Sequence, residues 1–278
     1  MLPLTRFTVT VELETPRGPD PSSLLASAKR VAPLVQAVNL PDNPMAKLRM
    51  SSLLAAALVE SRAGLPAIAH LTCRDRNSLA LQAELLGAHA LGLRRVLCLQ
   101  GDPVERGDHP MAKPVFEIGS DALIQLIGHL NQSRNWSGKP LEAATHFTAV
   151  AACNPYGDPE HERRRYLEKR EAGAELFQAQ PVFAAEDALR YRDLVGEGPP
   201  ILFGVLPLRS RQAAERMRSW TKVPEVLLHL LERGGAQAGR DWTAQLIGDL
   251  WRAGLPGIHL YPMGHLEELP ALLQEISL

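Results

Sequence analysis

Five things that would have typed this 278-residue chain quickly are missing. No G-x-G-x-x-G turn follows the first apolar run, so the usual opening of a doubly wound dinucleotide-binding sheet is absent. No apolar run approaches the roughly 18 residues of a membrane span, and Met1–Arg6 lead into the first strand-like run without a charged head and apolar signal core. A cytoplasmic protein with no membrane partner is expected. Cysteines number three, Cys73, Cys98 and Cys153, each isolated near the end of an apolar run. That placement suits reduced, buried thiols rather than a disulfide frame. No cluster of His-x-Glu and Cys-x-x-Cys spacings supports a metal, and none is expected. Net charge is also lacking: 30 basic against 31 acidic residues leave −1, which gives no electrostatic footprint for nucleic acid or an anionic bilayer.

What is present starts with Thr8–Pro16, where apolar and polar residues alternate. Side chains of a strand switch faces at each residue, so Val9, Val11 and Leu13 share one side and Thr8, Thr10, Glu12 and Glu14 the other. An acidic face turned into an interior is costly unless paired or used. Further strand-like runs follow at Ala37–Leu40, Ala67–Cys73, Arg95–Gly101, Phe147–Asn154, Leu176–Val182, Ile201–Leu208 and Gly257–Pro262, with the first extending to Thr15. Helix-like segments lie at Pro21–Gln36, Pro44–Ala63, Ser78–Leu91, Ser120–Asn131, Pro159–Ala172, Ala185–Val195, Ser210–Ser219, Pro224–Arg233, Asp241–Ala253 and Glu267–Glu275, and Gly234–Gly239 reads as an irregular loop.

Eight strand–helix units in about 250 residues predict an α/β fold, a single-domain (β/α)8 TIM barrel over residues 1–278, rather than an open sheet. Asn77 and Ser120 suit helix N-caps, and Gly64, Gly92 and Gly254 suit helix stops. The tryptophans, Trp136, Trp220, Trp242 and Trp251, are expected to pack outer helices. Leu53–Val59 reads as the buried face of a barrel helix. Oligomeric state is not legible, and an oligomer is compatible with the sequence. A barrel puts function at the C-terminal ends of its strands, where Glu12, Asn39, His70, Gln100, Asp102, Asn154, Gln180, Arg209, Arg211, His259 and Tyr261 collect.

Seven stretches, in order and spread over nearly the whole chain, carry a resemblance: Val11-Glu-Leu13 with Pro16 and Arg17, His70-Leu-Thr-Cys-Arg-Asp-Arg-Asn77, Leu99-Gln-Gly-Asp-Pro103, Lys169 with Ala172-Gly-Ala174, Gln180-Pro-Val-Phe183, Gly204-Val-Leu-Pro-Leu208 and Gly257-Ile-His-Leu-Tyr261. Together the chain resembles the methylenetetrahydrofolate reductase family in its short bacterial form. The resemblance implies FAD bound non-covalently at the barrel mouth and reduction of 5,10-methylenetetrahydrofolate to 5-methyltetrahydrofolate by hydride transfer, in one-carbon metabolism feeding methionine biosynthesis. NADH or another electron donor would be the reductant.

By the same resemblance Glu12 is the catalytic acid, Asp102 lies between flavin and pterin, and Gln180 binds the pterin. Asn39, His70, Gln100, Gly101, Asp102, Asn154, Glu162, Arg165 and Lys169 match flavin-binding positions. Simpler readings stand beside these: a paired carboxylate for Glu12, an Asp-capped turn for Asp102, a satisfied core imidazole for His70, and a solvated charged face for Glu160–Lys169. The chain departs from the family pattern at Asn39, Gln100 and Asn154, where many members have Thr, Arg and Tyr. It departs again at Arg209, Ser210 and Arg211, where an aromatic would stack on nicotinamide. Three functions follow: a flavin-dependent folate reductase, a flavin-free reductase using NADH directly, or a non-catalytic folate- or flavin-binding subunit of a redox complex. An electron-delivering partner subunit fits the first.

Overall fold

In a computed structural model of the chain, residues 7–218, 220–274 and 276 are described. The expected lead-in Met1–Arg6, the helix end at Ser219 and the helix end at Glu275 fall outside them.

Eight parallel strands close into a ring: β1 (Thr8–Glu12), β2 (Ala37–Leu40), β3 (Ala67–Thr72), β4 (Arg95–Leu99), β5 (Thr148–Cys153), β6 (Leu176–Pro181), β7 (Ile201–Val205) and β8 (Gly257–Leu260). Each pairs with its sequence neighbour, and β1 closes on β8 with Thr10 opposite His259. This is the predicted (β/α)8 barrel. Around it run α1 (Ser22–Val31), α2 (Ser52–Ala63), α3 (Ser78–Ala90), α4 (Ser120–Asn131), α5 (Pro159–Glu171), α6 (Ala185–Val195), α7 (Arg211–Met217), α8 (Glu225–Arg252) and the short α9 (Leu269–Leu272). Among the described residues no helix is long and apolar enough to cross a membrane.

The outward faces of the strands pack under the helices in one large apolar cluster that includes Val9, Val11, Leu53, Leu81, Ile124, Phe177 and Ile258. Inside the ring a second cluster of Ala37, Ile68, Leu97, Val150, Leu176 and Leu202 plugs the lower part. Val9 and Val11 are completely buried outward, as the alternation of β1 requires. Cys73, Cys98 and Cys153 are buried and free, and Ala55, Ala56 and Val59 are wholly buried on α2.

Several boundaries differ from expectation. Strand β1 stops at Glu12 instead of Thr15, and α1 stops at Val31: Ala32 keeps helical backbone and donates to Ala28 O, but Pro33 has no N–H with which to continue the ladder. The segment expected as one helix from Pro44 is a short 3₁₀ turn, Pro44–Ala46, followed by non-helical chain to Ser51. Asn43, Met45 and Ala46 all take positive φ there, so no α-helix can run through. Gly119 rather than Ser120 occupies the cap of α4, whereas Asn77 does cap α3, its Oδ1 accepting from Ala80 N at 2.9 Å. Two helices do meet in Gly234–Gly239, but the irregular stretch is a single kink at Gly235, φ +52°, rather than a loop, and the two halves run on as α8. Buried Gly239 lies so close to the Leu208 carbonyl that a Cβ would overlap it, and this contact holds the second half of α8 against the barrel.

Candidate active site

The middle of the barrel is polar. Asn39 Nδ2 donates to Gln178 Oε1 at 2.7 Å and to His70 Nε2 at 3.0 Å, and Gln178 Nε2 returns a bond to Asn39 Oδ1 at 3.2 Å. Gln178 Nε2 also reaches Thr10 Oγ1 at 3.4 Å, which lies 2.9 Å from His259 Nδ1. Five side chains from β1, β2, β3, β6 and β8 thus form one connected layer, and all five are buried. Since His70 Nε2 accepts, its proton sits on Nδ1. Burial lowers the pKa of His70 to about 4 and that of His259 to about 3, so both rings are neutral.

Glu12 stands two residues above Thr10, at the end of β1 and in register with Asn39 of β2. Its pKa rises from 4.5 to about 7, chiefly because burial disfavours the anion, with the charge of Glu14 adding to the effect. Glu14 is exposed on the rim and pairs with Arg49 at 3.3 Å. Glu12 opens into a cavity of about 560 Å³ that Arg17, Met45, Arg49 and Met263 also line.

A second cavity of about 390 Å³ lies at the ends of β5 and β6 and gathers Asn154, Glu162, Arg165, Lys169 and Gln180 from the sequence-predicted set. The two cavities have no lining residue in common. Helix α5 supplies three of these side chains from one face, spaced three and four apart. Its start is fixed by Asp158, whose Oδ1 accepts from His161 N at 2.9 Å, and by Pro159 in the first turn. Tyr166 anchors the same face, its ring centroid 4.1 Å from that of Phe177. Lys169 is buried, its Nζ donating to Ala152 O at 2.7 Å, and burial lowers its pKa. Two of its ammonium hydrogens remain for a ligand.

Gln180 reaches its cavity through an irregularity. The register between β6 and β7 shifts between Gln178 and Pro181, as a bulge re-aims a side chain. Gly204 of β7 makes the shift possible, since a Cβ there would lie 2.6 Å from Ala179 O and 2.7 Å from Pro181 N.

The remaining predicted residues are dispersed. Asp102 turns its carboxylate to the loop after β2, where Oδ2 accepts from Met45 N at 2.9 Å, and its carbonyl accepts from Arg74 Nη1 at 3.2 Å. Gly101 takes φ +94°, with a Cβ position 2.9 Å from Arg74 Cβ, so that turn requires glycine. Gln100 is exposed. Asn39 and His70 spend their hydrogen bonds within the middle layer. Arg209 pairs with Glu268, and Arg211 with Glu215 and Glu232, which fixes the loop after β7.

Sequence reasoning missed Gln178 and misplaced Trp220. Gln178 sits two residues before Gln180 in a Gln-Ala-Gln pattern, and Gly204 was the available sign that the strand between them is bulged. Trp220 lines the β5/β6 cavity at 49% exposure instead of packing an outer helix. The chain's one His-x-Glu spacing, His265 and Glu267, lies with Glu268 in a cluster whose ligand atoms fall within 4.8 Å of one another. Glu268 there is committed to Arg209 and Arg240.

The family model described as Methylenetetrahydrofolate reductase matches residues 3–277. Methylenetetrahydrofolate reductase 1 of Schizosaccharomyces pombe is 24% identical over 225 residues, covering 75% of this chain and 35% of that protein. The probable methylenetetrahydrofolate reductase (NADPH) of Caenorhabditis elegans is 25% identical over 249 residues, covering 84% and 35% respectively. The chain therefore spans about a third of the length of these curated relatives. Among solved structures, an uncharacterized protein from Clostridium thermocellum that binds two copies of 5-methyl-5,6,7,8-tetrahydrofolic acid is similar with a TM-score of 0.62 at 12% identity, covering 96% of this chain and 93% of that one. A 2,3-dimethylmalate lyase has a TM-score of 0.56 at 12% identity, covering 98% of this chain and 81% of its own. The barrel alone thus does not select a chemistry.

Proposed function

We propose that this chain, which belongs to the methylenetetrahydrofolate reductase family, reduces 5,10-methylenetetrahydrofolate to 5-methyltetrahydrofolate with FAD as hydride carrier and Glu12 as general acid. One observation carries the reading: a carboxyl at the inner edge of the barrel mouth that holds its proton up to about pH 7. The methylene bridge of the substrate joins two nitrogens, and hydride adds to its carbon only after one C–N bond opens to an iminium. A proton delivered to the departing nitrogen opens it, and an acid with a pKa near the operating pH is best matched to that transfer. The product keeps the methyl group on the other nitrogen, so one proton and one hydride balance the step.

The residues of the β5/β6 cavity suit a flavin dinucleotide. Lys169 and Arg165 present two cations to a diphosphate, while Asn154 and Glu162 offer acceptors for ribose hydroxyls. When bound, FAD supplies the hydride, having received one from the reductant. Gln180 offers donor and acceptor to a pterin edge, and Asp102 accepts from pterin N–H groups once its bond to Met45 is exchanged. Asn39 and His70 contribute by holding the layer under Glu12 rigid. The 5-methyl-5,6,7,8-tetrahydrofolic acid bound by the Clostridium thermocellum protein is the proposed product, which supports the substrate class. The loop after β7 carries Arg209, Ser210 and Arg211 where the resemblance puts a nicotinamide-stacking aromatic, and both arginines are engaged in ion pairs, which favours a donor other than freely bound NADH, such as a partner subunit.

Anaerobic stopped-flow spectroscopy of the two half-reactions tests the reading. Glu12→Gln is expected to keep flavin reduction and lose flavin reoxidation by methylenetetrahydrofolate. Unchanged folate turnover would remove Glu12 from the mechanism, and a colourless wild type that reduces folate with NADH would replace FAD by direct nicotinamide transfer.

A further inference from the structure

The β5/β6 cavity carries an aromatic face that no part of the proposed chemistry uses. Trp220 follows α7, and its position is held by three bonds: Trp220 N and Thr221 N both donate to Met217 O, at 3.1 and 3.0 Å, and Thr221 Oγ1 donates to Pro181 O at 3.1 Å. The last of these pins the turn to the end of β6, one residue beyond Gln180. Thr221 is buried at 6% exposure, so the anchor is shielded while the indole it carries is 49% exposed.

An indole on an anchored backbone but left half uncovered has apolar surface still to bury. It belongs to none of the barrel's apolar clusters. The other Tyr, Phe or Trp side chain on this cavity, Tyr166, is 1% exposed, stacked near Phe177 and tied through its hydroxyl to Pro199 O at 3.0 Å. Of the two, Trp220 is thus the one available to a ligand there, and it offers a larger apolar plane than the exposed imidazole of His161. Lys169 and Arg165 supply positive charge to the same space, and Asn154 and Gln180 supply amides. An apolar plane, amides and two cations around one cavity recognise a planar heteroaromatic ring that carries an anionic group.

We propose that Trp220 is the stacking platform of this cavity, taking the planar ring of an anionic heteroaromatic ligand whose charged group is held by Lys169 and Arg165. The inference rests on the proposed function in treating this cavity as a ligand site. A flavin dinucleotide, a nicotinamide dinucleotide and a reduced folate share the required chemistry, and the experiment separates them.

Equilibrium dialysis of wild type, Trp220→Phe and Trp220→Ala is run against FAD, NADH and 5-methyltetrahydrofolate in turn, with tryptophan fluorescence followed on each titration. Stacking on an aromatic is worth enough that Trp220→Ala should lose about tenfold or more in affinity for one probe, which identifies the ring. Trp220→Phe should retain most of that affinity, and the fluorescence quench at saturation should be smaller in both variants than in wild type, the remainder coming from Trp136, Trp242 and Trp251. Should Trp220→Ala fail to fold, Trp220→Phe carries the test, because a quench at saturation undiminished by the loss of Trp220 overturns the inference. A wild type that binds a probe while Trp220→Ala binds it equally overturns the inference alone and leaves the proposed reduction standing. A wild type that binds none of the three overturns both.

Discussion

If burial holds the proton on Glu12, the folded protein must lose stability as pH rises, and Glu12→Gln must abolish that loss. Below pH 4.5 the carboxyl is protonated in both states. Between 4.5 and about 7 the unfolded chain releases the proton and the folded one keeps it, so stability falls with rising pH and the loss is complete above about 7. A rise from 4.5 to about 7, at about 1.4 kcal/mol for each tenfold change in proton affinity, amounts to about 3 kcal/mol. Water reaching the outer edge of Glu12 makes this an upper bound. Urea denaturation of ligand-free wild type and Glu12→Gln at about pH 5 and about pH 8 measures it, since the contributions of all other titrating groups cancel in the difference between the two proteins. The amide variant should gain up to about 3 kcal/mol on the wild type between the two conditions. A stability difference that does not move with pH would show that Glu12 titrates as an ordinary carboxylate, and its assignment as a neutral-pH acid would fail with it.

Two further outcomes follow from the geometry. Gln178→Leu strips Asn39 of its amide partner inside a sealed layer, leaving a buried donor and acceptor unpaired, and should destabilise the protein by about 2–4 kcal/mol in urea titrations. A change below about 1 kcal/mol would mean that Asn39 finds other partners. Lys169→Met should separate binding from folding. Removing a buried cation relieves its desolvation while orphaning one carbonyl bond, so stability should stay within about 1 kcal/mol. Affinity for FAD, read by equilibrium dialysis, should fall about tenfold to a hundredfold as a charge-assisted contact is lost. Unchanged affinity would take Lys169 out of the ligand site.

The barrel was legible because its signals are local and repeated. Most strands are short apolar runs, most helices begin or end at a proline, polar cap or glycine, and eight repeats leave little freedom in topology. The inward aim of Glu12 follows from the alternation of β1, and the grouping of Glu162, Arg165 and Lys169 follows from helical spacing on α5. What escaped was set by contacts between distant residues. Asn43–Arg49 looks helical on its own, yet Asp102 binds Met45 N, Asp108 binds Leu48 N, and Gly107 presses on the Ala46 carbonyl. These contacts come from the chain after β4 and force the left-handed residues. Gly234 and Gly239 read as loop formers, but burial of α8 against Leu208 outweighs their low helix propensity. The bulge at Gln180 was encoded one strand further along the chain, in Gly204 of β7.

The polar middle layer bears on why Glu12 behaves as it does. A (β/α)8 barrel ordinarily fills its interior with branched apolar side chains, and the lower cluster here does so. Directly beneath Glu12 the chain instead places two imidazoles, and an imidazolium at either position would draw the Glu12 pKa back toward the ordinary carboxylate range. His70 cannot take a second proton without losing the bond from Asn39, because its Nε2 lone pair is the acceptor. Burial pushes His259 down still further, to about 3. The amide pair of Asn39 and Gln178 satisfies its polar atoms without charge. The layer is therefore hydrogen-bonded enough to be rigid and neutral enough to leave the desolvation of Glu12 uncompensated. An apolar layer would also have kept Glu12 protonated, but it offers no directional bonds to hold β1, β2 and β6 in mutual register. The sequence thus uses neutral amides and imidazoles where either a salt bridge or a leucine would have met only one of the two requirements.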